Sequence, residues 1–176
     1  MPQLCVPFEH MGLTASSQPT LYFYVPDTTP NKVSVTLVDT ETKETISLPL
    51  IDGIKEKGLQ RFDVAATGHS LRPGIPYVWS VAIRATDGGP AHNAYAGAFI
   101  RYDEPSPELT AALAGKDSDE KAAIYADNHF WFDTIAAQID TINADPDDDS
   151  LREDLRQTLA DNKCAVDISS LPRPTK

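Results

Sequence analysis

The chain has 176 residues, 41% of them hydrophobic and 23% charged, and a net charge of -11 at neutral pH. That length and balance allow a buried core for one domain or one and a half, and exclude disorder of the whole chain. The acidic excess weighs against nucleic acid and anionic membrane as partners, since both need a basic face, and no run approaches the roughly 20 apolar residues of a membrane-spanning helix.

In chain order, Met1-Pro2-Gln3-Leu4-Cys5-Val6-Pro7 lacks the basic start and apolar centre of a secretory signal. The expectation is either a cytosolic protein or a chain that begins at a mature or trimmed end. Residues 1–19 read as turn-rich, with 1–9 as a tail. Thr20 to Val25 is the first strand, apolar on both faces and so central. Val33, Val35 and Leu37 alternate with polar residues, and so do Ile46, Leu48 and Leu50 after the Asp39–Lys43 turn, which predicts a hairpin. Leu59 to Ala66 follows, with Phe62 and Val64 inward.

Leu71-Arg72-Pro73-Gly74-Ile75-Pro76-Tyr77-Val78-Trp79 is the most informative stretch. Pro73-Gly74 sets a turn, and a tyrosine opening the next strand is how Greek-key sheets place a tyrosine corner. Leu71, Pro73, Gly74, Tyr77 and Trp79 are therefore expected to act structurally. Tyr77 and Trp79 share a face, and burial of the indole is worth roughly 4–6 kcal/mol. After a turn at Asp87-Gly88-Gly89-Pro90, Tyr95 to Tyr102 closes the set. Six or seven short strands at this rhythm predict an immunoglobulin-like or fibronectin-III-like antiparallel β-sandwich over 10–103.

From Asp103 the period changes to helical, predicting a subdomain over 106–162 and an α+β chain. Ser106 caps a helix with Pro107 at its first position, and Asp117/Glu120 and Ser150/Glu153 form two further cap pairs. Ile124, Trp131, Ile135, Ile139 and Ile142 fall on one stripe, and Leu151, Leu155 and Leu159 on a narrow edge. Tyr125 to Pro146 resembles a single tetratricopeptide unit. His129 stands where such units carry glycine, Thr134 where they carry alanine and Gln138 where they carry a large apolar residue. One unit makes no solenoid, so its stripe must cover the sheets, a neighbouring helix or another molecule. Tyr125, Asn128, His129, Phe130 and Trp131 are the candidate docking face, and 169–176 reads as a second tail.

No catalytic constellation emerges. His10, His69, His92 and His129 lie in separate segments without metal-pair spacing. Gly68-His69-Ser70-Leu71-Arg72 has Arg72 where a nucleophile elbow requires glycine. The acidic run 143–149 is an imperfect calcium loop and reads better as carboxylates at a helix N-terminus. Catalytic residues, metal and cofactor are all expected to be absent. Tyr22, Tyr24, Tyr95 and Tyr102 either pack the core and its rim or form a sugar-stacking face. Cys5 and Cys164 are either two unrelated thiols or a disulfide closing nearly the whole chain, worth about 5 kcal/mol by loop entropy.

Leu13-Thr14-Ala15-Ser16-Ser17-Gln18-Pro19-Thr20-Leu21-Tyr22-Phe23-Tyr24-Val25-Pro26, paired with Ala122-Ala123-Ile124-Tyr125-Ala126 and Trp131-Phe132-Asp133, resembles one family over roughly residues 10–172. It is the bacterial, mostly cyanobacterial, domain of unknown function numbered 928. The resemblance implies an extracytoplasmic protein, periplasmic or secreted, whose signal is absent from this chain, and it carries over no functional residue. Together these readings predict a non-catalytic interaction module with another protein as partner and no nucleic acid. The alternative is a carbohydrate or small-ligand binder using exposed sheet aromatics.

Overall fold

Trp79 has no exposed surface, and the chain is arranged around it. It lies on β7 (Pro76–Ile83), the middle strand of a five-stranded sheet ordered β2 (Gly12–Thr14), β8 (Ala94–Tyr102), β7, β4 (Val33–Asp39), β5 (Thr45–Ser47). All its pairings are antiparallel except β2 with β8. Leu37 and Ala98 flank Trp79, and Ile100 lies beside Tyr77. A second, antiparallel sheet is ordered β1 (Gln3–Leu4), β3 (Thr20–Val25), β6 (Gly58–Asp63). Apolar residues on both faces of β3 follow from its central place: Leu21, Tyr22, Phe23 and Val25 are all buried. The computed structural model describes residues 1–7, 10–84, 94–164, 166–169 and 171, so the predicted turn at 87–90 and His92 lie outside the described residues.

Four helices follow: α1 (Pro107–Leu113), α2 (Ser118–Asp127), α3 (Trp131–Ala144) and α4 (Asp149–Asp161). The chain is thus α+β, two mostly antiparallel sheets and then helices. Ser106 accepts from Leu109 N–H at the start of α1, and Asp117 with Glu120 forms a reciprocal capping box on α2. The third cap is Asp148, which accepts from Ser150 N–H. Ser150 is therefore inside α4, and the cap is the better-placed carboxylate two residues upstream.

Sheets and helices share one core. Phe132 on α3 meets Trp79 edge-on, with ring centres 6.2 Å apart, and Ile135, Ile139, Ile142, Leu155 and Leu159 belong to the same buried cluster as Leu21, Val35 and Val81. Gly12 makes that approach feasible: a Cβ there would stand 2.5 Å from Phe132 Cε2. The boundary near residue 105 divides the chain but not the core. The predicted N-terminal tail is tied down, because Gln3 and Leu4 pair with β3 and Cys5 is joined to Cys164 by a disulfide with Cα atoms 5.4 Å apart. Strands of two and three residues show no alternation, which is why 1–19 read as turns. At the other end, Ile168 is buried and Leu171 packs on the core.

Candidate functional site

Tyr77 is buried, and its hydroxyl accepts from the Arg72 N–H at 3.2 Å. Leu71 is buried, and Gly74, at φ 74°, donates its N–H to Tyr102 O. The Arg72 guanidinium reaches the buried Asp39 carboxylate at 2.7 Å and Glu41 at 2.9 Å. Asp39 also accepts the Thr42 and Glu41 N–H groups of its own turn. Those turn amides first, then Arg72 and Tyr77, hold its carboxyl far below the usual carboxylate range. This polar knot ties the β4–β5 turn to the loop before β7, and its groups are spent on one another. The arginine that spoils the nucleophile-elbow pattern is its centre.

The five residues proposed from sequence as a docking face do not form one. Phe130 and Trp131 are buried, and Trp131 Nε1–H donates to Cys5 O at 3.0 Å. Tyr125 is half-buried against Phe130, while Asn128 and His129 are exposed. The reason is the turn they build. His129 has a φ of 63°; its N–H bonds Ala126 O, and Phe130 N–H bonds Tyr125 O. This pair of bonds, with the Tyr125–Phe130 ring contact, is a Schellman helix end with histidine in the left-handed place usually given to glycine.

The opening lies beside that turn. α2 and α4 both pack on α3 yet stand apart, and the Thr134, Gln138 and Thr141 side of α3 floors the groove between them. Its main cavity, ≈ 450 Å³, is walled by Ala122, Ala123 and Ala126 of α2 and by Leu151, Asp154 and Thr158 of α4, with Asp119 and Glu120 at the rim. A second cavity of ≈ 220 Å³ shares Ala126, Thr134 and Thr158 and extends to His10, His129, Trp131 and Asn162. Thr158 Oγ1–H donates to Asp154 O, so Gln138 Nε2 must donate to Thr158. The Gln138 Oε1 is then a buried acceptor with no partner among the described residues. Gln138 departs from the tetratricopeptide pattern at the position that becomes the groove floor.

Two carboxylates bind α3 to the sheets. Asp133 accepts from Ala15 N–H at 2.9 Å; burial pushes its carboxyl up to about 6, against the pull of that amide and the Thr14 hydroxyl. Asp140 lies 3.5 Å from Arg61, which also holds Asp63 at 2.9 Å and the Tyr22 hydroxyl at 3.3 Å. Burial raises the Tyr22 phenol.

Among the four tyrosines weighed for sugar stacking, Tyr22 is buried, Tyr24 and Tyr102 are half-buried, and Tyr95 is 57% exposed. The β7–β8 register sets Phe99, 53% exposed, on the same outer face as Tyr95, which folds over Gly97. Phe99 was legible: it shares the odd-numbered face of β8 with Tyr95, opposite Ala96, Ala98 and Ile100. His69 is exposed in its loop, while His10 and His129 meet with ring centres 6.4 Å apart. Among the described residues no three His, Cys, Asp or Glu side chains cluster as a metal-holding group, and no helix is long and apolar enough to cross a membrane.

A comparison with curated proteins finds no match. The sequence profile described as Domain of Unknown Function (DUF928) matches residues 3–172, from the first strand past the helices and their disulfide. The chain, β-rich core and helical groove together, is a member of the DUF928 family.

Proposed function

We propose that this chain is a non-catalytic, extracytoplasmic interaction module that holds a short basic polypeptide segment in the groove between α2 and α4. The buried Gln138 Oε1 at the groove floor carries the reading, since such an acceptor costs about 1–3 kcal/mol until a donor, from water or a ligand, meets it. Asp119 and Asp154 at the rim and the net charge of -11 favour a cationic segment, while Glu120 is held by Lys116 and the α2 cap. The Cys5–Cys164 disulfide supports an oxidising compartment. We read the two sheets as an immunoglobulin- or fibronectin-III-like sandwich, supported by the Tyr77 hydroxyl bond. We read α2–α3 as one tetratricopeptide-like hairpin, supported by the turn at His129.

The test is quantitative affinity capture from the native host at low salt, comparing the wild type with Ala126→Trp, which fills the groove from an exposed position, and with Gln138→Leu. A protein retained by the wild type and lost with both folded variants, and released by salt, is the expected result. Equal retention by all three contradicts the groove. A second reading, carbohydrate stacking on the outer face of the five-stranded sheet, draws on the exposed Tyr95 and Phe99. Glycan-array signal lost in Tyr95→Ala and Phe99→Ala but kept in Ala126→Trp would favour it.

A further inference from the structure

We propose that His10 and His129 form a two-imidazole site for a divalent late transition-metal ion, with Asn162 as an oxygen ligand and water completing the shell. At Zn–N lengths of about 2.1 Å, two imidazoles on one ion place their ring centres roughly 5–6.5 Å apart. The observed 6.4 Å is the near-trans end of that span, about 1 Å beyond the tetrahedral separation, so a tetrahedral ion requires the two exposed rings to close by that amount. Both rings line the ≈ 220 Å³ cavity with Thr134, Thr158 and Asn162. The Asn162 amide donates its N–H to Thr158 O, which leaves Oδ1 as the acceptor.

Three further features point to a cation. His129 keeps its imidazole at a φ of 63°, where glycine is the easier residue. The cavity collects two helix C-termini, the end of α2 just before His129 and the end of α4 capped by Asn162. Neither helix has a basic residue in its last turn; N–H groups cap the last carbonyls of both, and the negative ends of the two dipoles still favour a cation beside them, with Lys163 following the α4 cap. The ligand frame is also anchored. Cys5 and Cys164 join the segment leading to His10 to the residues just after Asn162.

The test is isothermal titration with Zn²⁺ alone and Ni²⁺ alone at mildly alkaline pH, with imidazole proton resonances followed by NMR. One ion per chain is expected, shifting His10 and His129 together. His129→Gly fits the left-handed position and should fold at least as firmly as the wild type; with His10→Asn it isolates the ligand role. Each should weaken binding by more than the roughly tenfold that even outer partners of a metal ligand are worth. His69→Ala should leave binding unchanged. Unchanged affinity in His129→Gly or His10→Asn, or no binding to the wild type, overturns the proposal. Because the readout is a metal ion, its failure leaves the peptide groove untouched, and failure of the groove leaves the metal site untouched.

Discussion

His129 occupies a left-handed backbone position that costs a residue with a Cβ about 1 kcal/mol relative to glycine. His129→Gly should therefore raise unfolding stability by about that amount in denaturant titration; a loss would show that the imidazole packs against its neighbours strongly enough to outweigh the backbone cost. The departure from glycine was visible in the sequence. Its meeting with His10, 119 residues away, was not, because no local spacing encodes a contact made by a loop and a helix end. Two carboxylates make opposite predictions about pH. The Asp133 carboxyl, raised to about 6 by burial, penalises the folded state once ionised. That penalty is absent below the ordinary value near 4, grows through 4–6 and is complete above, on the order of 2–3 kcal/mol. Asp133→Asn should thus gain on the wild type as pH rises from 4 to 7, in a difference of unfolding curves. Asp39, held far below its usual range, contributes stability that is present above about pH 4 and lost as acid protonates it. Arg72→Met should remove part of that acid sensitivity.

At the scale of elements, α3 decides the architecture. Its Trp131, Phe132, Ile135, Ile139 and Ile142 are buried toward the sheets and α4, while Thr134, Gln138 and Thr141 face the groove. The apolar stripe was legible from its spacing, but what it covers was not, since a periodic face carries no address. The address is written in Gly12, a residue inside a three-residue strand too short to predict. Gly12→Ala would drive a methyl into the Phe132 ring and should cost about 1–3 kcal/mol, the usual cost of overpacking; Gly12→Ala combined with Phe132→Leu should recover part of it. If the single change is neutral, α3 does not sit where Phe132 places it. The strands β3, β4, β7 and β8 and the β4–β5 hairpin were readable from alternation and turn residues; the order that sets β7 beside β4 was not. β1 and β2, which lock the N-terminus, were not.

At the scale of the molecule, the continuous cluster from Cys5 to Ile168 predicts one cooperative unfolding transition rather than two. The two tryptophans report on both halves, Trp79 from the five-stranded sheet and Trp131 from α3. Fluorescence-detected curves of Trp79→Phe and Trp131→Phe should each match the loss of helix signal within the same variant. Separate midpoints would restore the sheets and helices as independent units. Reduction of Cys5–Cys164 should lower stability by about 5 kcal/mol by loop entropy, and also loosen the segment whose carbonyl Trp131 Nε1–H meets. The most direct test of the central claim is site-specific photo-crosslinking in the native host, with the reactive residue at Ala126 in the groove or at Phe99 on the outer sheet face. A discrete adduct to a basic polypeptide from Ala126, and none from Phe99, is the result predicted here. Adducts from Phe99 with none from Ala126 would contradict it and move the binding face to the other side of the molecule.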